Sequence, residues 1–125
     1  MRTIKFRGQR VDTKEWVYGD LTIHHLQPYI SKEIIEPPTL GDPGGSETYY
    51  CHEVVSETVG QFTGELDRNK KEVYDGDIFK IGAEKELFEV RFKHGCFLAF
   101  ANNKQFGLLG EIANIYIEVI GNIHD

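Results

Sequence analysis

Hydrophobic and polar positions alternate with period 2 in several separate stretches of this chain, the pattern of half-buried strands. Ile4 and Phe6 face one way and Lys5 and Arg7 the other, which predicts a first strand over Ile4–Phe6. Residues 8–14 form a loop with its tip at Asp12-Thr13-Lys14, and Glu15–Ile23 is a second strand with a bulge or bend at Gly19. Tyr29-Ile30 is a short strand, and Thr48–Val55 resumes strand-like residues. Val59, Gln61 and Thr63 alternate with Gly60, Phe62 and Gly64, again a strand. After the polar turn Glu65–Lys71, Phe79 and Ile81 continue a strand that ends at Gly82. Phe88, Val90 and Phe92 share one face, and His94-Gly95 predicts a two-residue hairpin turn. That turn sets Phe92 opposite Phe97, Val90 opposite Ala99, and Phe88 opposite Ala101. Asn102–Gly110 is a connection with one helical turn at Phe106–Leu109. Ile115–Ile123 is apolar on both faces and predicts a central, covered strand.

The expected fold is therefore mainly β with little helix: a small, partly open barrel or curved antiparallel sheet, SH3-like in the C-terminal half. One domain is expected over residues 1–125. It comprises an N-terminal hairpin (1–23), a loop-rich region (24–56) and a barrel-like core (57–125). The loop from Glu36 to Glu47 carries three prolines and three glycines.

Composition narrows the class. Hydrophobic residues make up 40% and aromatics 12%, enough for a packed core. No apolar run approaches the ~18 residues of a membrane span. The N-terminus is basic but lacks the apolar stretch of a secretory signal, so a cytoplasmic protein is expected. The net charge of −6 opposes steering toward nucleic acid. Two cysteines, Cys51 and Cys96, fit reduced thiols in that compartment.

Turn chemistry accounts for most of the polar side chains between Glu57 and Gly82. Asp67 and Asn69 fold back onto the backbone, with Asn69 able to take positive φ. Gly76 turns a corner and Asp77 caps exposed amides at a strand start. As a calcium loop the stretch fails: Lys71 would be the fifth-position ligand, Glu72 replaces the sixth-position glycine, and Ile78 stands at the twelfth. The pairs His24-His25, Cys51-His52 and His94-x-Cys96 lack the spacing of a zinc site. No metal or cofactor is expected. A hydrolase built on Asp67, Asp75 and Asp77 remains an alternative. So does a nucleic-acid-associated regulator stacking bases on Trp16, Tyr18, Phe62 and Tyr74.

Thr58-Val59-Gly60-Gln61, Thr63-Gly64, Asp67, Asn69, Val73-Tyr74 and Gly76-Asp77-Ile78 together resemble the signature of the YopX family of phage and prophage proteins. Phe6-Arg7-Gly8, Trp16–Leu21 and the closing Glu118–Ile123 run, with Gly121 and Asn122, also resemble the family. One departure is Lys70, where the family usually has glycine after the asparagine. The resemblance implies a phage or prophage accessory protein without an assigned activity. It is expected to bind rather than catalyse, as a homo-oligomer or with a host or phage protein. The positions of functional or structural role are Thr58, Gly60, Gln61, Thr63, Gly64, Asp67, Asn69, Tyr74, Gly76, Asp77, Gly121 and Asn122. Gln61, Thr63 and Asn122 are the contact candidates.

Overall fold

The computed structural model of the chain describes residues 3–36, 40, 46–112 and 114–125. It is built mostly of antiparallel β-strands, with three single-turn 3-10 helices and no α-helix among the described residues. Among the described residues no helix is long and apolar enough to cross a membrane. The chain divides into two compact units, Lys5–Val59 and a second built on Gly60–Asp125.

The first unit is a meander of β1 (Phe6–Gln9), β2 (Trp16–His24), β3 (Gln27–Glu36) and β4 (Ser46–Glu53), each strand beside its sequence neighbour. β1 lies later than the Ile4–Phe6 pattern predicts, β3 runs well beyond the short Tyr29-Ile30 strand, and β4 begins and ends two residues before the expected Thr48–Val55 stretch. The expected loop from Glu36 to Glu47 falls mostly outside the described residues. A two-residue turn joins β2 to β3, with His25 at φ 49° and Leu26 at φ 67°. Leucine is unusual in that conformation, which is why sequence pattern alone misses the turn. No register shift occurs at Gly19. A side chain there would begin 2.1 Å from the Ser31 carbonyl oxygen, so the position needs glycine because β3 passes so close. Ile30 and Val54 are buried, and Arg7 lies over the Trp16 ring at 4.6 Å.

The second unit combines a two-stranded ribbon with a five-stranded sheet. The ribbon is β5 (Gly60–Leu66) with β6 (Glu72–Tyr74). The sheet has the order β10-β9-β8-β7-β11, from β7 (Asp77–Ile81), β8 (Leu87–Lys93), β9 (Cys96–Ala101), β10 (Lys104–Leu108) and β11 (Ile117–Asn122). It is open, with β10 and β11 at its edges. Val73 from the ribbon packs with Phe79, Phe88, Val90, Ala99, Leu109, Ile117 and Val119 in one buried cluster. Phe79 and Phe88 stack at 5.5 Å.

The β8–β9 hairpin matches its expected register. Phe92 opposes Phe97 and Val90 opposes Ala99, around a turn with His94 at φ 55° and Gly95 at φ 78°. Asn102 and Asn103, at φ 52° and 62°, make a second such turn. Phe106 therefore sits in β10 rather than in a helical turn, and the 3-10 turn falls at Leu109–Glu111. β11 is an edge strand, not the central one its two apolar faces predict, and Ile120 is half exposed. Its outer edge is nevertheless hydrogen-bonded. The Arg68 N–H donates to the Ile117 carbonyl at 2.8 Å, and the Val119 N–H donates to Asp67 Oδ2 at 3.0 Å.

Candidate functional site

Most of the signature residues hold turns and close strand contacts in place. Thr58 is buried in a 3-10 turn, where its hydroxyl donates to the Val55 carbonyl and accepts the Gln9 N–H. On β5, Gly60 runs so close to the corner after β6 that a side chain would begin 2.7 Å from the Asp75 carbonyl oxygen. Four residue steps along β5, from Phe62 to Leu66, face only two on β6, from Tyr74 to Glu72, so β5 bulges between them. Thr63 and Gly64 form that bulge. Gly64 takes φ 88°, and the Thr63 hydroxyl donates to the Val73 carbonyl while accepting the Glu65 N–H.

The turn after β5 is organised by one carboxylate. Asp67 Oδ1 accepts the backbone N–H groups of Asn69 and Lys71 at 2.8 and 2.9 Å, while Oδ2 accepts that of Val119. Asp67 is 4% exposed. Burial acts to raise its pKa, but the N–H donors of Val119, Lys71 and Asn69, helped by the Lys71 charge, outweigh it and hold the group below the ordinary 3.8. The left-handed residue of this turn is Lys70, at φ 63°, not Asn69. The Lys70 N–H bonds the Asp67 carbonyl and the Asp67 N–H bonds the Lys71 carbonyl, which closes the loop with Lys70 at its strained position.

The second corner, Tyr74–Asp77, is held by Asp77 Oδ2, which accepts the Tyr74 N–H at 2.8 Å. Gly76 adopts φ 91°, donates its N–H to the Val90 carbonyl and accepts the Ile123 N–H. Tyr74 is a core residue, tilted against Phe62 at 5.6 Å. At the end of β11, the Asn122 N–H and side-chain amide both donate to Asp125, and Asn122 Oδ1 accepts the His124 N–H. Gly121 follows the register shift after Val119.

Gln61 is different. Its side chain makes no hydrogen bond to a described residue and lines an open groove of about 410 Å³. Gln61, Thr63 and Glu65, alternate residues of β5, form one wall. Phe92 and Phe97 from the β8–β9 hairpin form another, with Leu108 and Glu111 beyond. Phe92 is half exposed and tilts against Phe97 at 5.0 Å. The period-2 pattern placed Gln61 and Thr63 on one face, and the His94-Gly95 turn paired the two phenylalanines. Nothing in the sequence marked Glu111 as their neighbour.

A second groove, of about 390 Å³, lies wholly in the first unit and is lined by Trp16, Tyr18, Ile30, Lys32, Tyr50 and His52. Of the four aromatics named as base-stacking candidates, Trp16 and Tyr18 line it, whereas Phe62 and Tyr74 are buried. Among the described residues no three His, Cys, Asp or Glu side chains gather as a metal ligand set. Cys51 and Cys96 are free thiols.

No curated protein matches the chain. Among solved structures, the crystal structure of protein EF1440 from Enterococcus faecalis matches with a TM-score of 0.60 at 22% identity, over 99% of this chain and 95% of that one. At that identity the likeness establishes the fold. The model of the YopX family, described as YopX protein, matches residues 5–125. With the family model matching essentially the whole chain, the chain belongs to the YopX family.

Proposed function

We propose that the protein is a non-enzymatic binding module of phage or prophage origin, acting in the cytoplasm, whose contact surface is the groove beside Gln61. One contrast carries this reading. The signature carboxylates Asp67 and Asp77 are buried and bonded to backbone amides, whereas Gln61 faces an open groove walled by half-exposed apolar side chains. A carboxylate engaged by amide donors is a poor proton shuttle, which weighs against a hydrolase built on these acids. Exposed aromatic and aliphatic side chains beside an unbonded amide are the usual composition of a protein-recognition surface. The test is capture from bacterial lysate by tagged wild-type protein and by a Gln61→Ala/Phe92→Ser variant, with native mass measured for both. A protein retained by the wild type and lost by the variant supports the reading. Identical capture by both, or nucleic acid alone, counts against it.

The aromatic groove of the first unit favours a second reading, in which the protein associates with nucleic acid. Trp16, Tyr18 and Tyr50 beside Lys32 offer stacking faces and a positive charge. Binding of single-stranded DNA that falls steeply with salt and is lost in Trp16→Ala would favour it.

A further inference from the structure

We propose that the groove beside Gln61 takes an arginine side chain presented by an extended segment of a partner protein; this rests on the binding-module reading above. Two carboxylates, Glu65 and Glu111, border the groove, and neither is paired with a cation among the described residues. The cations on the adjoining hairpin are directed elsewhere. Arg91 bonds Glu89 and Asn103, and both Arg91 and Lys93 lie over the Phe100 ring. The groove therefore keeps uncompensated negative charge next to exposed aromatic surface. Glu65 Oε1 lies 3.7 Å from where a side chain on Gly110 would begin, so the glycine leaves that carboxylate accessible.

This combination selects a particular chemistry. An aromatic face attracts a cation, and a planar guanidinium stacks on a ring while offering forked donors to carboxylate and amide oxygens. Phe92 supplies the ring, Glu65 and Glu111 the carboxylates, and Gln61 the amide oxygen. An ammonium group lacks the plane and the fork, and an anionic ligand meets repulsion. The groove is open rather than enclosed, so an extended segment can lie across it, with flanking apolar side chains on Phe97 and Leu108.

The experiment is an NMR titration of the isotopically labelled full chain with acetyl-leucyl-arginyl-leucyl-amide and with its citrulline counterpart, which has the same shape without the charge. The expected result is shifts at the amides of Gln61, Glu65, Phe97 and Glu111. The citrulline peptide should bind about fivefold or more weakly, as a cation over an aromatic face and a partly exposed ion pair together imply. A Glu65→Gln/Glu111→Gln variant should narrow that difference, leaving only the preference of the Phe92 ring for a cation. Equal binding of both peptides in the groove by the wild type would overturn the arginine assignment and leave the binding module standing. Shifts confined to other surfaces would overturn both.

Discussion

Replacing Asp67 by asparagine probes the carboxylate that holds the turn after β5 against β11. The substitution keeps shape and removes charge and one acceptor. With its oxygen at the Oδ1 position the amide keeps the Asn69 and Lys71 bonds, but its NH₂ then faces the buried Val119 N–H, donor against donor. Leaving that N–H unsatisfied costs about 1–3 kcal/mol. The two surviving bonds lose their charge assistance, roughly half their strength. Together Asp67→Asn should destabilise the protein by about 3 kcal/mol, a large share of the ~5–15 kcal/mol typical of a domain. Urea unfolding followed by far-UV circular dichroism measures it, and hydrogen exchange at the Val119 amide localises it. The pH dependence has a definite sign. Because the folded-state pKa of Asp67 lies below the ordinary 3.8, its contribution is fully present above that value and lost as pH falls through the folded value. The gap between wild type and Asp67→Asn should therefore be widest near neutrality and narrow in acid. A cost under about 0.5 kcal/mol, the level of an ordinary surface change, or a gap that widens in acid, would refute the reasoning.

Lys70→Gly should stabilise by about 0.5–1 kcal/mol, since it relieves left-handed strain in a lysine at the expense of some unfolded-state entropy; denaturant midpoints check this. Gly60→Ala should cost about 1–3 kcal/mol through collision with the Asp75 carbonyl, while Gly64→Ala, with open space around it but φ 88°, should cost about 1 kcal/mol from backbone strain alone. Thermal melts of the two variants should differ accordingly. Phe79→Ala, at the centre of the second unit's core, should cost about 3–5 kcal/mol and is measured by the same unfolding curves.

Much of the fold was legible because strand alternation and glycine turns are local signals. The β8–β9 hairpin declared itself through Phe88, Val90 and Phe92 and the His94-Gly95 turn. The Asn102-Asn103 turn is equally local, but its two asparagines also suit a longer connection, and the pattern then puts Phe106 in a helical turn rather than in β10. His25-Leu26 carries no turn signature at all, because leucine adopts positive φ there only under the demand of the surrounding strands. β11 shows a different limit: two apolar faces indicate coverage, but not whether a strand or a turn provides it. The turn chemistry of Asp67 was legible from its neighbours, whereas its bond to Val119, 52 residues away, was not. The same holds for the site. Gln61 and Thr63 share a strand face by simple alternation, but Glu111 joins them only through the folded path of β10 and the turn that follows.

The hydrogen bonds from the Asp67–Arg68 turn to β11 also bear on how the protein meets copies of itself. An open sheet offers two borders on which a further strand can grow. On one side Arg68 and Asp67 occupy the Ile117 carbonyl and the Val119 amide that an incoming strand would need. On the other, the register shift around Phe106 spoils the template of β10. Any assembly of this protein should then proceed through faces and side chains rather than by strand addition to this sheet. The signature aspartate thus covers the Val119 amide on the β11 border, and losing it should expose that amide to an incoming strand as well as weaken the fold.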